Sequence, residues 1–428
     1  MTSHRQLPPL SLAFTVWGVG AALYFIGFFH RVAPAVITRE LTEEFGLTAA
    51  ALGNLSAFYF YSYVAVQIPT GVLADHFGPR VILSAGALTA ALGGFLFASA
   101  TSLPLVALGR LLIGGSVGVA FVAIMKLSTH WFHPSRFAAI TGLALGTGLV
   151  GAVSAGAPLR WLADAFGWRG VILTVATATA VLAVAIWLIV RDDPSERGYA
   201  SYLPGSRERT REHSMLGGLA RVLRERNVWL LLIGNGGLSA PPLTFGGLWG
   251  VPFLATHYHL STASAAGYCS LLLLAWAAGG PMMGALSDRW GARKPLYAIG
   301  VFAAAVSWSI VFLVPDLPLV VLALLLAIAG LGSGVIMVGY AYAKESAPAA
   351  LAGTTGGVVN MGNMIGGMVL QPAVGWVLDR LWDGAMAGAV RVYPFSAYRA
   401  GFALMLAWLV AALLLTALSR ETHCRQRA

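Results

Sequence analysis

Charge is scarce in this chain. Of 428 residues only 10% are charged, whereas 58% are hydrophobic. An average soluble protein carries about a quarter charged residues. A soluble chain of this length would fold as two or three domains covered with charge, and there is not enough charge here to do so. Cysteine is scarcer still. Cys269 and Cys424 are the only two, which excludes a disulfide framework or a cysteine metal site. Lysine is nearly absent, 3 against 24 arginines, a bias that points to a GC-rich bacterial genome. No G-x-x-x-x-G-K-[ST] string occurs, so ATP is not expected to drive the protein directly. Metal-ligand clusters and nucleophile elbows are also missing; His257 and His259, two apart, make a weak metal site. A soluble enzyme, a secreted scaffold and a nucleic-acid-binding domain are therefore excluded, and no cofactor is expected.

What the chain does have is apolar runs of about 20 residues, recurring from Ser11 to Ser419. Each is long enough to cross a hydrocarbon layer of ~30 Å as a helix. Twelve spans are predicted, at 11–37, 50–74, 81–99, 104–131, 137–160, 170–190, 227–256, 263–286, 295–314, 318–343, 352–378 and 399–419. The expected fold class is an all-α polytopic membrane protein. Met1–Leu10 is too short and polar for a cleaved signal peptide, so span one should stay in the mature protein. An arginine-rich polar segment, 191–226, separates two bundles at 1–190 and 227–428. With a cytoplasmic N-terminus, 18 Lys/Arg fall inside, 6 outside and 3 within spans. That skew places both termini and the linker in the cytoplasm.

The two halves are copies of one another. Gly71-Val-Leu-Ala-Asp75-His-Phe-Gly78-Pro-Arg80 recurs as Gly284-Ala-Leu-Ser-Asp288-Arg-Trp-Gly291-Ala-Arg293, 213 residues on. Gly53 and Gly267, Pro104 and Pro318, Thr141 and Thr355, and Pro158 and Pro372 pair at an offset of 214. Repeated six-helix halves are a transporter architecture, with a substrate site near the midplane.

The decapeptide Gly71–Arg80 between spans two and three resembles the signature of the major facilitator superfamily, and its weaker copy at Gly284–Arg293 is also expected there. The resemblance covers the whole chain and implies the major facilitator fold. It implies gating roles for Gly71, Asp75, Gly78, Arg80, Gly284, Asp288 and Arg293. Chemistry supports those roles. An Asp at a helix end can accept bonds from the exposed N–H groups of a neighbouring helix start, and an Arg can pair with a carboxylate or helix-end carbonyls. Arg110, in Leu108-Gly-Arg110-Leu-Leu-Ile-Gly114-Gly-Ser-Val-Gly118, matches the superfamily's arginine–glycine pattern in span four. Gly114 and Gly118 there form a small-xxx-small packing face. Trp168-Arg169, and Arg191–Tyr199 after span six, look like the organic-anion and sugar-phosphate symporter branch; lysosomal dipeptide carriers are also similar. Span five lacks the proline of the drug–proton antiporter pattern.

All 17 acidic residues fall in loops or at span ends. Three cations, Arg31, Arg110 and Lys126, lie within spans, with His30 beside the first. An intramembrane charge costs at least ~2.5–3.5 kcal/mol, so each needs a partner or a wet cavity. Bracing by backbone carbonyls is expected for Arg110, and Lys126 is a candidate cargo contact that is also near enough to the inner end of span four to snorkel. Arg31 is then the leading contact for an anionic cargo. Its place resembles the anion-binding arginine of the phosphate-ester branch, but the stretch Pro242–Trp249 of span seven lacks that branch's second arginine. A carboxylate or zwitterion fits better. His30 is a candidate proton carrier. Tyr24, Tyr59, Trp249 and Asn360 are candidate cavity residues.

The sequence thus predicts a monomeric secondary transporter of a bacterial inner membrane, taking up a small organic anion with protons. The alternatives are an exporter or facilitator of amphipathic compounds, amino acids or short peptides, and a non-transporting sensor on the same fold.

Overall fold

The computed structural model describes residues 6–133, 136–202, 215–348 and 351–426. Residues 203–214 of the predicted linker, with Arg207, Arg209 and Arg211, lie outside the described residues, and so does the side chain of Asp75.

Helices occupy all twelve predicted segments. Span one is Leu10–Val36, followed by a short helix, Thr38–Phe45, that ends at Gly46. Spans two and three form one helical run, Ala49–Ser99, broken at Gly78. Span four is Leu103–Gly118 with Ala120–Trp131, span five Phe137–Ser154 with Ala157–Phe166, and span six Trp168–Ile189. After a short helix, Met215–Val222, come span seven at Arg226–His257, span eight at Thr262–Trp290 and span nine at Lys294–Leu313. Span ten is Leu319–Ser333 with Ile336–Glu345, span eleven Ala352–Arg380 and span twelve Phe395–Leu418. Two short strands, β1 (Met386–Ala387) and β2 (Val390–Arg391), form a hairpin between spans eleven and twelve.

Among the described residues, nine helices are long and apolar enough to cross a membrane, or ten if the two pieces of span five, bent by 43°, count as one. Spans two and eleven fall short for a chemical reason. Span two carries Asn54, Ser56, Ser62 and Gln67, and span eleven Thr354, Thr355, Asn360, Asn363 and Gln371. These polar groups lower hydropathy without breaking the helix. Elsewhere large apolar side chains point outward, among them Val320 at 71% exposure, Val181 at 66% and Leu324 at 59%. Lipid, rather than water, is the solvent such a surface suits.

The breaks also repeat. Span four is interrupted at Val119 and span ten between Ser333 and Ile336, near the same internal offset. In span seven, the pair Pro241-Pro242 removes two backbone donors. The run Pro242–Trp249 is wound as a π-helix, the register change by which a helix absorbs such a loss.

Chain contacts divide the protein into two compact units. The first holds Met1–Arg31, Tyr61–Ala152 and Ala163–His213; the second holds Val32–Phe60, Val153–Leu162 and Ser214–Ala428. The first is built on Trp17, Leu23, Leu83, Leu127, Trp131 and Ile186, all buried, with Trp17 donating to the Ser128 hydroxyl at 3.1 Å. The second is built on an aromatic cluster in which Phe245 lies 5.2 Å from Trp308 and 5.7 Å from Phe402. The six-helix halves remain a reading of the sequence repeat.

Candidate substrate site and gating motifs

In the first unit, span one buries His30 and Arg31 side by side, at 2% and 5% exposure. Their setting follows from Pro34. A helix carbonyl at position 30 normally accepts from the N–H of residue 34, and proline has none. The guanidinium of Arg110 supplies the missing donor: its Nη1 reaches the His30 carbonyl at 2.6 Å. Arg110 is itself 1% exposed, so span four clamps span one immediately before Arg31. The helix runs on through Pro34 to Val36.

The Arg31 guanidinium carbon lies 4.0 Å from the centre of the Phe28 ring and 5.6 Å from that of Tyr63. Such stacking steadies a planar cation. Tyr24 continues the wall, 4.7 Å from Phe28, and Gly148 of span five packs beneath both rings. His30 Nε2 is buried and has no hydrogen-bond partner among the described residues.

Lys126 lies on the same span as Arg110. Its Nζ donates to the Ala74 carbonyl at 2.8 Å. Ala74 is within four residues of the helix break at Gly78, where carbonyls run out of amide partners. That bond ties span four to the end of the helix before the signature loop.

Within that loop, Gly71 and Asp75 are helical, and Gly78 adopts φ 82°, ψ 158°, a conformation nearly restricted to glycine. The helix that restarts there needs an acceptor for its first N–H groups. Asp192, just past span six, provides it, taking the Arg80 N–H at 2.7 Å. The Arg80 side chain donates Nε to the Trp187 carbonyl at 2.9 Å and stacks on the Trp187 ring. Next to Asp192, Asp193 accepts from Ser195, Ser201 and the ring of His130. Burial acts to raise the Asp193 carboxyl, but these donors outweigh it and hold it below the usual carboxylate range.

In the second unit the loop copy is a tighter network. Arg293 bonds Asp288 at 2.7 Å and Glu345 at 2.7 Å. Burial opposes its charge, yet Glu345 and Asp288 raise its pKa above the ordinary arginine value. Glu421, past span twelve, accepts the N–H groups of Arg293 and Lys294 at 2.9 and 2.8 Å. Asp192 and Glu421 thus do the same job in the two copies. Gly284 has open space around it. Neither capping acid is visible in the motif itself; each follows a last span, where an acid reads as solvated.

The remaining candidates also fall in the second unit. Trp249 is buried and donates Nε1 to the Gln371 carbonyl at 3.0 Å, while the Gln371 amide donates to the Leu243 carbonyl inside the π-helical run at 2.8 Å. Tyr59 is fully buried beside Phe60. Asn360 accepts the Tyr340 hydroxyl at 2.7 Å, and Asn363 Nδ2 donates to that hydroxyl at 2.6 Å. Tyr340, Asn363 and Gln371 therefore join the polar groups of this unit. Asn363 Oδ1 and Gln371 Oε1 are buried with no hydrogen-bond partner among the described residues. The polar residues Thr355, Asn360, Asn363 and Gln371 within an otherwise apolar span eleven were the signal for this line.

The model of the Major Facilitator Superfamily matches residues 17–371. An uncharacterized transporter of Bacillus subtilis, YybO, is 24% identical over 398 residues, 89% of this chain and 90% of that one. The probable galactarate/D-glucarate transporter GudP of Bacillus subtilis is 24% identical over 397 residues, 85% of each chain. Among solved structures, a bacterial homolog to the human lysosomal transporter Spinster, inward-facing and unoccupied, shares the fold with a TM-score of 0.73 at 19% identity over 96% of both chains. Apolar helices in number, the duplicated capped loop and a family match across most of the length lead to one assignment: this chain is a multi-pass membrane transporter of the Major Facilitator Superfamily.

Proposed function

We propose that the protein is a secondary active transporter for a small hydroxylated organic anion, moved by alternating access and taken up with protons. Arg31 carries this reading. It is a buried guanidinium held flat against Phe28 and near Tyr63, in a chain whose spans hold no mid-span carboxylate. A carboxylate arriving at its N–H fork gains a bidentate, charge-assisted pair. The named substrates of GudP, galactarate and D-glucarate, are anions of this class. His30, adjacent to Arg31, is the proposed proton carrier, and Lys126 and Arg110 act as braces.

The test is binding of galactarate or D-glucarate to purified, monodisperse variants. Losing a buried charge-assisted bond costs a few kcal/mol, so Arg31→Ala should weaken binding roughly 10- to 1,000-fold. Arg31→Lys, which cannot form the fork, should fall short as well. Wild-type affinity in Arg31→Ala would remove Arg31 from the site.

A further inference from the structure

We propose that Asp379 is the latch of a gate on the face that the arginine count places outside, holding the start of span two against the end of span eleven and releasing it when that face opens. The proposal rests on the alternating-access reading above and names a residue for one of its steps.

The geometry lies entirely within the second compact unit. The helix that begins at Ala49 exposes its first N–H groups, as every helix start does. Asp379 takes two of them: Oδ1 accepts from Ala49 N–H at 3.1 Å and Oδ2 from Ala50 N–H at 2.8 Å. Its carboxylate also meets the positive end of the span-two dipole. The loop with the β1–β2 hairpin returns two further groups to the same carboxylate. The Tyr393 hydroxyl donates to Oδ1 at 2.9 Å and accepts from Ala49 N–H at 3.2 Å, and Arg391 donates to Oδ1 at 3.2 Å. Burial and the charge of Asp379 raise the Tyr393 pKa, so the phenol stays a donor.

Immediately below the latch the seam is built on small residues. Gly375 packs on the backbone of Ala49, and a Cβ on Gly53 would stand 2.5 Å from the Gln371 carbonyl. At the rim the two helices meet on Ala49, Ala50, Gly53 and Gly375, and two turns deeper the Phe60 ring of span two packs on Gly367 of span eleven. Close approach of small residues gives good contact but no interlock at the rim, so that end of the seam can part first. The bonds at the top are of a kind that water can replace. Asp379 and Arg391 keep 18% and 31% of their side-chain surface exposed, enough for water to take over each bond as it breaks. A permanent anchor would be apolar and buried; this one is polar, wetted and set at the rim. Its chemistry, an acid on the N-terminus of a helix, is the one inferred from sequence for Asp75 at the opposite face.

The experiment follows a cysteine placed one to two turns below the latch. Ser56→Cys, in a Cys269→Ser/Cys424→Ser background, puts a thiol at a buried position of span two (1% exposure). The readout is its rate of reaction with a membrane-impermeant thiol reagent in reconstituted, monodisperse protein. It needs no substrate. Asp379→Ala should raise the rate at least tenfold, and Tyr393→Phe, which removes the two bonds of the hydroxyl but keeps the carboxylate and is the milder change, two- to fivefold. Asp383→Asn, an exposed acid of the same loop, should leave it unchanged. A bulky wedge, Gly53→Trp, forces the seam apart independently of the latch. Labelling that rises with the wedge but not with Asp379→Ala or Tyr393→Phe overturns the latch and leaves alternating access standing. No rise with any of the three overturns both. A rise with Asp383→Asn equal to that of Asp379→Ala overturns the latch by showing that loop charge alone moves the rate.

Discussion

Gly78 shows how much a single position can carry. Its φ of 82° is open to glycine and strained for any other residue, and a Cβ there would overlap the carboxylate of Asp192. Gly78→Ala therefore imposes two costs at once: backbone strain of about 1–3 kcal/mol and displacement of the acid that caps Arg80. The expected result is a lower melting temperature of the purified protein by several degrees. An unchanged melting temperature would mean that the loop relaxes freely. The glycine was legible in the sequence because the decapeptide repeats. Its capping partner was not, since Asp192 sits 112 residues from Arg80. His30 gives a comparable lesson. Pro34 announces a carbonyl without an amide, but only the packing of span four shows that Arg110 answers it. Lys126 reaches the Ala74 carbonyl, a partner 52 residues away that its place in span four does not reveal.

At the scale of the element, helices persist or break according to what satisfies their ends. The segment after span twelve acts as a strap. Glu421 caps span nine through Arg293 and Lys294, and Tyr342 donates to the Ser419 hydroxyl and to the Arg420 carbonyl. Burial acts to raise the Glu421 carboxyl, but four backbone N–H donors hold it below the ordinary carboxylate value. A depressed folded pKa stabilises above the unfolded value of about 4.3 and ceases to as pH falls through the lower folded one. Glu421→Gln should thus cost about 0.5–2 kcal/mol at neutral pH, as lost caps do, and should flatten the acid limb of a melting-temperature profile. Equal acid sensitivity in variant and wild type would exclude the strap as a titrating element. Hydropathy made the positions of most spans readable. It underrated spans two and eleven because Asn54, Gln67, Asn360 and Gln371 line them. The interruptions at Val119 and before Ile336, and the bend of span five, escaped it because a local break leaves the mean hydropathy of a span nearly unchanged.

At the scale of the whole molecule, two compact units carry different chemistry. The first holds the buried cations and the aromatic wall at Arg31; the second holds the amide and hydroxyl cluster of spans seven, ten and eleven. The repeat was readable from motif spacing, but the residues grouped in each compact unit were not, because Val32–Phe60 and Val153–Leu162 join the unit built mainly on the second half. The central claim is that this transporter moves hydroxylated organic anions with protons. It is tested most directly by uptake into proteoliposomes of labelled galactarate and D-glucarate, beside a lipophilic cation, with and without an acid-outside pH gradient. The account predicts that at least one of the two anions accumulates, that the gradient increases its uptake, that Arg31→Ala abolishes it, and that the cation does not enter. Uptake of the cation, or of neither anion by protein shown to be monodisperse and folded, would contradict it.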